Sequence, residues 1–226
     1  MNTSWLRRLS TIAFSIVLSL TIFSLPAHAF VSTDYCQLLS TNACNGCDLS
    51  RADLSGKELY GSALNGANLS EANLSGALLN DAKLQGAILT KANLSGAILM
   101  GIDLSQANLT EANLSKADLY NARLSKAKLS NATLTGANLE AAIISDANLS
   151  NSLVNGATLK ESILARSNLS AADFSDSNMR KCRLSENAIL KEAKFIRTDL
   201  SNCLMPDGTT YNGDVTRFGA YQQDKM

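Results

Sequence analysis

The sequence is poor in the residues that most enzyme chemistry relies on. It holds one histidine, His28, and one tryptophan, Trp5, and one of its two prolines is Pro26. All three lie in a segment that reads as an export leader. Arg7 and Arg8 supply positive charge, residues 12–25 supply an apolar run, and Ala27-His28-Ala29 is a small-x-small cleavage site. Cutting before Phe30 leaves 197 residues without any imidazole. That excludes Ser-His and Cys-His nucleophilic catalysis, histidine acid–base chemistry and every histidine-containing metal site. No phosphate loop or cofactor motif is present, so neither an enzyme nor a cofactor is expected.

Charge of one sign is lacking too. The chain carries 20 basic and 20 acidic residues. Loss of Arg7 and Arg8 with the leader leaves 18 against 20, a net charge of −2, with no footprint for nucleic acid. The apolar run of about 14 residues falls short of the roughly 20 that span a bilayer. The alternative to a cleaved leader is an uncleaved anchor. After cleavage no membrane contact is expected, and the destination is an exported compartment, periplasm or thylakoid lumen.

What the sequence does have is a repeat. From Leu49 to Leu184 every fifth residue is large and apolar, which makes 28 pentads without a gap. Leucine fills 24 of these centres; Ile144, Val154, Phe174 and Met179 fill the rest. Two residues before each centre sits alanine 19 times, serine five times and cysteine twice, and only Lys57 and Ile102 break that column. A step of five spreads leucines around an α-helix and alternates them across a flat strand. A single leucine core therefore requires the chain to turn once per pentad. The centre and the small residue two before it point inward, and the other three positions make a polar corner. The result is a solenoid held by stacking of neighbouring coils.

The number of pentads per coil is less sharply written. Gly56, Gly76, Gly96, Gly136 and Gly156 are spaced by multiples of 20, which favours four. After Leu184 the centres shift to Leu190, Phe195, Leu200 and Met205, so one extra residue enters between Leu184 and Ala188, as in a bulge.

The tandem A-[N/D]-L-x-x over 47–205 resembles the pentapeptide-repeat family. Segments such as Ala67-Asn68-Leu69-Ser70-Glu71 carry that resemblance. It implies an all-β solenoid, a right-handed quadrilateral β-helix with four pentads per coil and about eight coils. The opening Cys44-Asn45-Gly46-Cys47-Asp48-Leu49 resembles the way exported cyanobacterial members begin their repeats. The expected organisation is a leader over 1–29, a cap over 30–46, the β-helix over 47–205, and a turn and tail over 206–226. A short helix is expected over residues 32–39, with Ser32 or Thr33 as N-cap. The tail from 210, with Tyr211, Phe218 and Tyr221, is expected to fold over the last coil.

Five cysteines in an exported chain suggest disulfides with one thiol left over. Cys182 and Cys203 are 21 apart, one coil plus the inserted residue, on one inward column. Stacked there, their Cα atoms would be about 4.8 Å apart, within bridging range. The alternative is two small buried thiols. Near the cap, a bridge from Cys36 to Cys44 or Cys47 is expected. A thiol-redox role for Cys44 and Cys47 is the rival reading.

With residues 20 apart stacked, Tyr60, Leu78, Ile98, Met100 and Tyr120 share one side, rimmed by Glu58, Asn80, Asp81 and Asp118. They form the candidate patch for an unknown protein partner; scattered exposed hydrophobes are the bland alternative. Another side holds Lys83, Arg123, Lys126, Arg166 and Arg183, interrupted by Asp103, Asp146 and Glu186, and reads as a solvated face. Lys57 stands in an inward slot, where a buried ammonium is costly; its stem is expected to snorkel outward, or the first coil to be irregular. The function expected is a non-enzymatic structural or protein-interaction module, with end-to-end or face-to-face self-association open. A DNA mimic that protects a topoisomerase, a role some family members have, fits poorly with a leader and a net charge of −2.

Overall fold

The computed structural model describes residues 33–222. The leader, residues 30–32 with the N-cap candidate Ser32, and the last four residues lie outside the described residues.

The chain turns once per pentad. The amide of each small inward residue donates to the carbonyl of the preceding centre, as in Ala67 N–H to Leu64 O at 3.1 Å and Ala112 N–H to Leu109 O at 3.0 Å. The third residue of each turn has positive φ, the sign of a type II turn. Glycine fills it at Gly76 (φ 62°), but Glu71 (59°), Lys91 (59°) and Arg166 (59°) hold the same angle. The turn is reinforced from outside. Asn or Asp before the centre accepts the amide two residues on, as in Ser115 N–H to Asn113 Oδ1 at 3.0 Å. This Asx turn explains why N or D precedes L in so many pentads.

Rungs join residues 20 apart in parallel register: Asp48 to Asn68, Asp53 to Asn73, Glu58 to Leu78, Ala63 to Lys83, and so on down the chain. Four pentads therefore close one coil, and four sides result. The first side is the column through Asp48, the second through Asp53, the third through Glu58 and the fourth through Ala63. Each side is one bridge wide among the described residues, so no longer strand forms. Asn side chains bridge coils as well: Asn73 Nδ2 donates to Asp53 Oδ1 at 3.1 Å, and Asn93 Nδ2 to Asn73 Oδ1 at 3.3 Å.

The core is the leucine column. All 28 centres from Leu49 to Leu184 are buried, as are most of the alanines two before them. The bore tolerates rings only where two can stack, at Phe174 and Phe195, whose centroids are 5.3 Å apart. Three serines in the small column satisfy their hydroxyls on the turn carbonyl, as Ser152 Oγ does on Leu149 O at 2.7 Å, whereas Ser167 donates to Ile144 O one coil away and Ser62 Oγ has no partner among the described residues. Ile102 is fully buried. Lys57 is exposed; its charge is the smallest of the influences that lower the Asp53 carboxyl's pKa, after the hydrogen bonds from Ser55 and Asn73.

The inserted residue sits at a corner. Glu186 (φ 61°) and Asn187 (φ 63°) are both left-handed, and rungs beyond them join residues 21 apart, Asn168 to Ile189 and Arg183 to Leu204.

Helix α1, Thr33–Thr41, covers the first coil with Leu38 buried. It runs two residues past the end expected from sequence, and left-handed Asn42 (φ 55°) ends it, donating to Leu38 O at 2.8 Å. At the other end the tail folds back. Leu204 pairs antiparallel with Thr210, Tyr221 pairs with Lys194, and Val215 is buried.

Candidate interaction face

The third side gathers the five patch residues. Glu58, Leu78, Ile98 and Asp118 are successive rungs. Two residues beyond each lie Tyr60, Asn80, Met100 and Tyr120. Tyr60, Met100 and Tyr120 are exposed, at 49%, 38% and 42%, and Leu78 and Ile98 are half-buried. The strip climbs four coils with a width of one rung.

Its edges are bare. Gly56, Gly76 and Gly96 line one corner and Gly61 and Gly101 the other. An added Cβ would meet nothing within 4 Å at Gly56, Gly61, Gly76 or Gly96. At Gly101 it would come within 2.5 Å of Asp81 Oδ1, so that glycine makes room for the Asp81 carboxylate. Among the described residues, Glu58, Asp81 and Asp118 take part in no ion pair. The strip is thus apolar in the middle and acidic at its rim. Ile88, Leu153 and Ile189 are exposed on other sides without comparable neighbours.

The cysteines divide differently from expectation. Cys182 is joined to Cys203, with Cα atoms 4.6 Å apart. Cys44 is joined to Cys47 across one corner, with Cα atoms 5.3 Å apart. Cys36 is free and exposed, so the expected bridge from Cys36 to Cys44 or Cys47 is corrected. The reason is helical phase: Leu38 faces the coil, and two residues on a helix differ by about 200°, which turns Cys36 outward.

Sequence reading also missed the ion-pair ladders. Two of the acids that interrupt the basic column on the fourth side, Asp146 and Glu186, are partners of its Arg166. Arg166 donates to Asp146 at 2.8 Å and also pairs with Glu186, each one coil away. Glu140 with Lys160, Glu161 with Lys181, and Asp176 with Arg197 repeat the device. The Arg166 guanidinium holds the Asp146 carboxyl below its usual range, and Arg197 does the same for Asp176. Opposite charges 20 apart were the available signal.

Among the described residues no group of three or more metal-ligating side chains is assembled, and no helix is long and apolar enough to cross a membrane.

The pentapeptide repeats family model matches in 8 copies between residues 44 and 205. The chain belongs to the pentapeptide-repeat family. Its members fold as right-handed quadrilateral β-helices. No curated protein matches. Among solved structures, QnrB1, a plasmid-mediated fluoroquinolone resistance protein, is 21% identical over 80% of this chain and 91% of its own, with a TM-score of 0.56. HetL, a pentapeptide repeat protein from the cyanobacterium Nostoc involved in heterocyst differentiation regulation, is 27% identical over 74% of this chain and 92% of its own, with a TM-score of 0.33. A pentapeptide repeat protein of the Arabidopsis thaliana thylakoid lumen is 30% identical over 60% of this chain and 70% of its own, with a TM-score of 0.17.

Proposed function

We propose that the chain is a non-enzymatic rod that presents its third side to a protein partner in an exported compartment, periplasm or thylakoid lumen. Pentapeptide repeat proteins are generally non-enzymatic and mediate protein interactions. One observation carries the reading to particular residues. Tyr60, Leu78, Ile98, Met100 and Tyr120 form a continuous apolar strip with bare corners on a rigid side, whereas exposed hydrophobes elsewhere stand singly. Two disulfides and the leader pattern support export, since such bridges persist in oxidising compartments. The test is recovery of cross-linked partners from the native compartment. Leu78→Glu with Ile98→Glu abolishes recovery while the β-helix spectrum stays intact. Undiminished recovery would remove this side as the partner site.

A second reading, thiol exchange at Cys44 and Cys47, is favoured by a bridge only three residues long beside a free Cys36. Intact mass under a mild dithiol poise separates the two. A mixture of oxidised and reduced Cys44–Cys47 favours exchange, and a bridge that stays fully formed favours a staple.

A further inference from the structure

An asparagine followed by glycine carries its own reaction. The glycine nitrogen, on giving up its proton, attacks the side-chain carbonyl carbon of the asparagine. A C–N bond forms and the side-chain amide leaves as ammonia. Water then opens the cyclic imide at either of its carbonyls and leaves aspartate or isoaspartate, so water is the only reagent consumed. Aspartate before glycine reaches the same imide by losing water. Glycine favours the step because no Cβ obstructs the approach. Two groups must be free, the glycine N–H to lose its proton and the side chain to swing over it. A hydrogen bond on either must break first, which holds the reaction back.

The chain contains the pairs Asn45-Gly46, Asn65-Gly66, Asn155-Gly156, Asp207-Gly208 and Asn212-Gly213. The three in the rod are held at both groups. Gly46 N–H donates to Asn65 O, Gly66 N–H to Gln85 O and Gly156 N–H to Ser175 O, each at 2.9 Å. Asn45 Oδ1 accepts from Asn65 N–H at 2.8 Å, Asn65 Oδ1 from Gln85 N–H at 3.1 Å, and Asn155 Oδ1 from the Thr135 hydroxyl at 2.9 Å. All of these bonds run from coil to coil, so such a pair reacts only when coils part. The Cys44–Cys47 bridge further restrains the first of them. Asp207-Gly208 is held within its turn. Gly208 N–H donates to Met205 O at 2.9 Å, and Asp207 Oδ1 accepts the N–H and the hydroxyl of Thr209 at 3.1 and 2.7 Å.

Asn212-Gly213 is held at neither group. Both residues are exposed, and neither the Gly213 N–H nor the Asn212 side chain bonds to any described residue. A Cβ built at Gly213 would meet nothing within 4 Å, so the side chain has room to approach. We infer that Asn212 is the site at which this chain deamidates itself while folded. The product is carried without loss of the rod. No backbone N–H or carbonyl of residues 212–214 is bonded within the described residues, so this link has slack for the extra main-chain methylene of isoaspartate. The anchors on either side are independent of it: Tyr211 N–H on Cys203 O at 2.8 Å, and Val215 in the core. The change adds one carboxylate two residues before Asp214, in a tail whose Arg217 is already paired with Asp207 at 3.2 Å. The result is a more acidic form of the same rod, and it does not depend on the apolar strip having a partner.

The test is ageing of the purified protein in mildly alkaline buffer, which favours loss of the glycine amide proton, followed by ion exchange and peptide mass mapping. A more acidic form accumulates. Its mass gain, that of a hydroxyl replacing an amino group, lies on the peptide that holds Asn212. That peptide separates into two products of equal mass, aspartyl and isoaspartyl. Asn45, Asn65 and Asn155 stay unchanged, and the β-helix spectrum is retained. In urea with the disulfides reduced, all four asparagines convert, which assigns their difference to the fold. Asn212→Gln abolishes the acidic form and leaves the spectrum intact. An unchanged Asn212 in the folded protein would overturn the inference, as would conversion of the rod asparagines at the same rate. Failure of the rod asparagines to convert in urea would overturn it too, because the fold would then not be what protects them. Loss of the β-helix spectrum as the acidic form accumulates would contradict the slack assigned to residues 212–214.

Discussion

The first half of the rod and the second use one backbone and two surfaces. Up to Gly101 most corners are glycine: Gly46, Gly56, Gly61, Gly66, Gly76, Gly86, Gly96 and Gly101. From Gln106 onward only Gly136 and Gly156 remain in the repeat, and the corners carry Lys, Glu, Asp, Arg, Asn and Ala at the same positive φ. The turn therefore does not require glycine. A left-handed residue with a Cβ costs about 1 kcal/mol or more, and coil stacking offsets that cost at Glu71, Asp146 and Arg166 alike. What differs is what the corner shows to solvent. The first half shows bare edges around an apolar strip and a single ladder column, Arg51 with Glu71 and Lys91 with Glu111; the second shows several columns of ion pairs that tie coil to coil. The bare half suits contact with another molecule, and the laddered half suits holding itself together.

The largest effect that sharpens this contrast concerns the disulfides. Loop closure over 21 residues is worth about 3 kcal/mol, and over three residues about 2 kcal/mol. Replacing Cys182 and Cys203 by alanine therefore loosens the last coils more than replacing Cys44 and Cys47 loosens the first. Hydrogen exchange resolved along the chain reads this difference, and equal loosening at both ends would remove it. Next comes the corner itself. Gly76→Ala, at φ 62° with open space around the new methyl, costs about 1 kcal/mol through backbone strain alone, read from the denaturant midpoint. A neutral outcome would show that this turn carries no left-handed penalty.

The smallest effect is electrostatic. Asp146 and Asp176 titrate below their ordinary value because Arg166 and Arg197 hold the charged form. The stability they add is fully present above the unfolded carboxyl value of about 3.9 and is lost as pH falls through the lowered folded values. These pairs are solvent-exposed, so the loss is small and added salt masks it. Arg166→Gln should lower the melting temperature slightly at low ionic strength and not at high. A decrease that persists in high salt would mean that Arg166 acts by packing.

Most of the fold was legible because its signal is redundant. Twenty-eight centres in phase leave one solution for the backbone, and a spacing of 20 between glycines pointed to the coil. Even the shift after Leu184 was visible, as a slip in the column of small residues. The third-side strip followed from the same arithmetic. Two things were not legible. Cys36 was assigned to a bridge because the phase of a nine-residue helix cannot be read from one buried leucine. The ladders were taken for a solvated face because Asp146 and Glu186 looked like interruptions until Arg166 lay between them.

The account rests on residues 20 apart being neighbours on one side. The most direct test is a pair of cysteines in the strip. In a chain carrying Cys36→Ser, Leu78→Cys with Ile98→Cys should oxidise readily to an intramolecular bridge, as Cys182 and Cys203 do one coil apart. Leu78→Cys with Asn93→Cys, 15 apart and on different sides, should not. Bridging of the second pair in preference to the first would mean three pentads per coil, and the strip and its bare edges would both be misplaced.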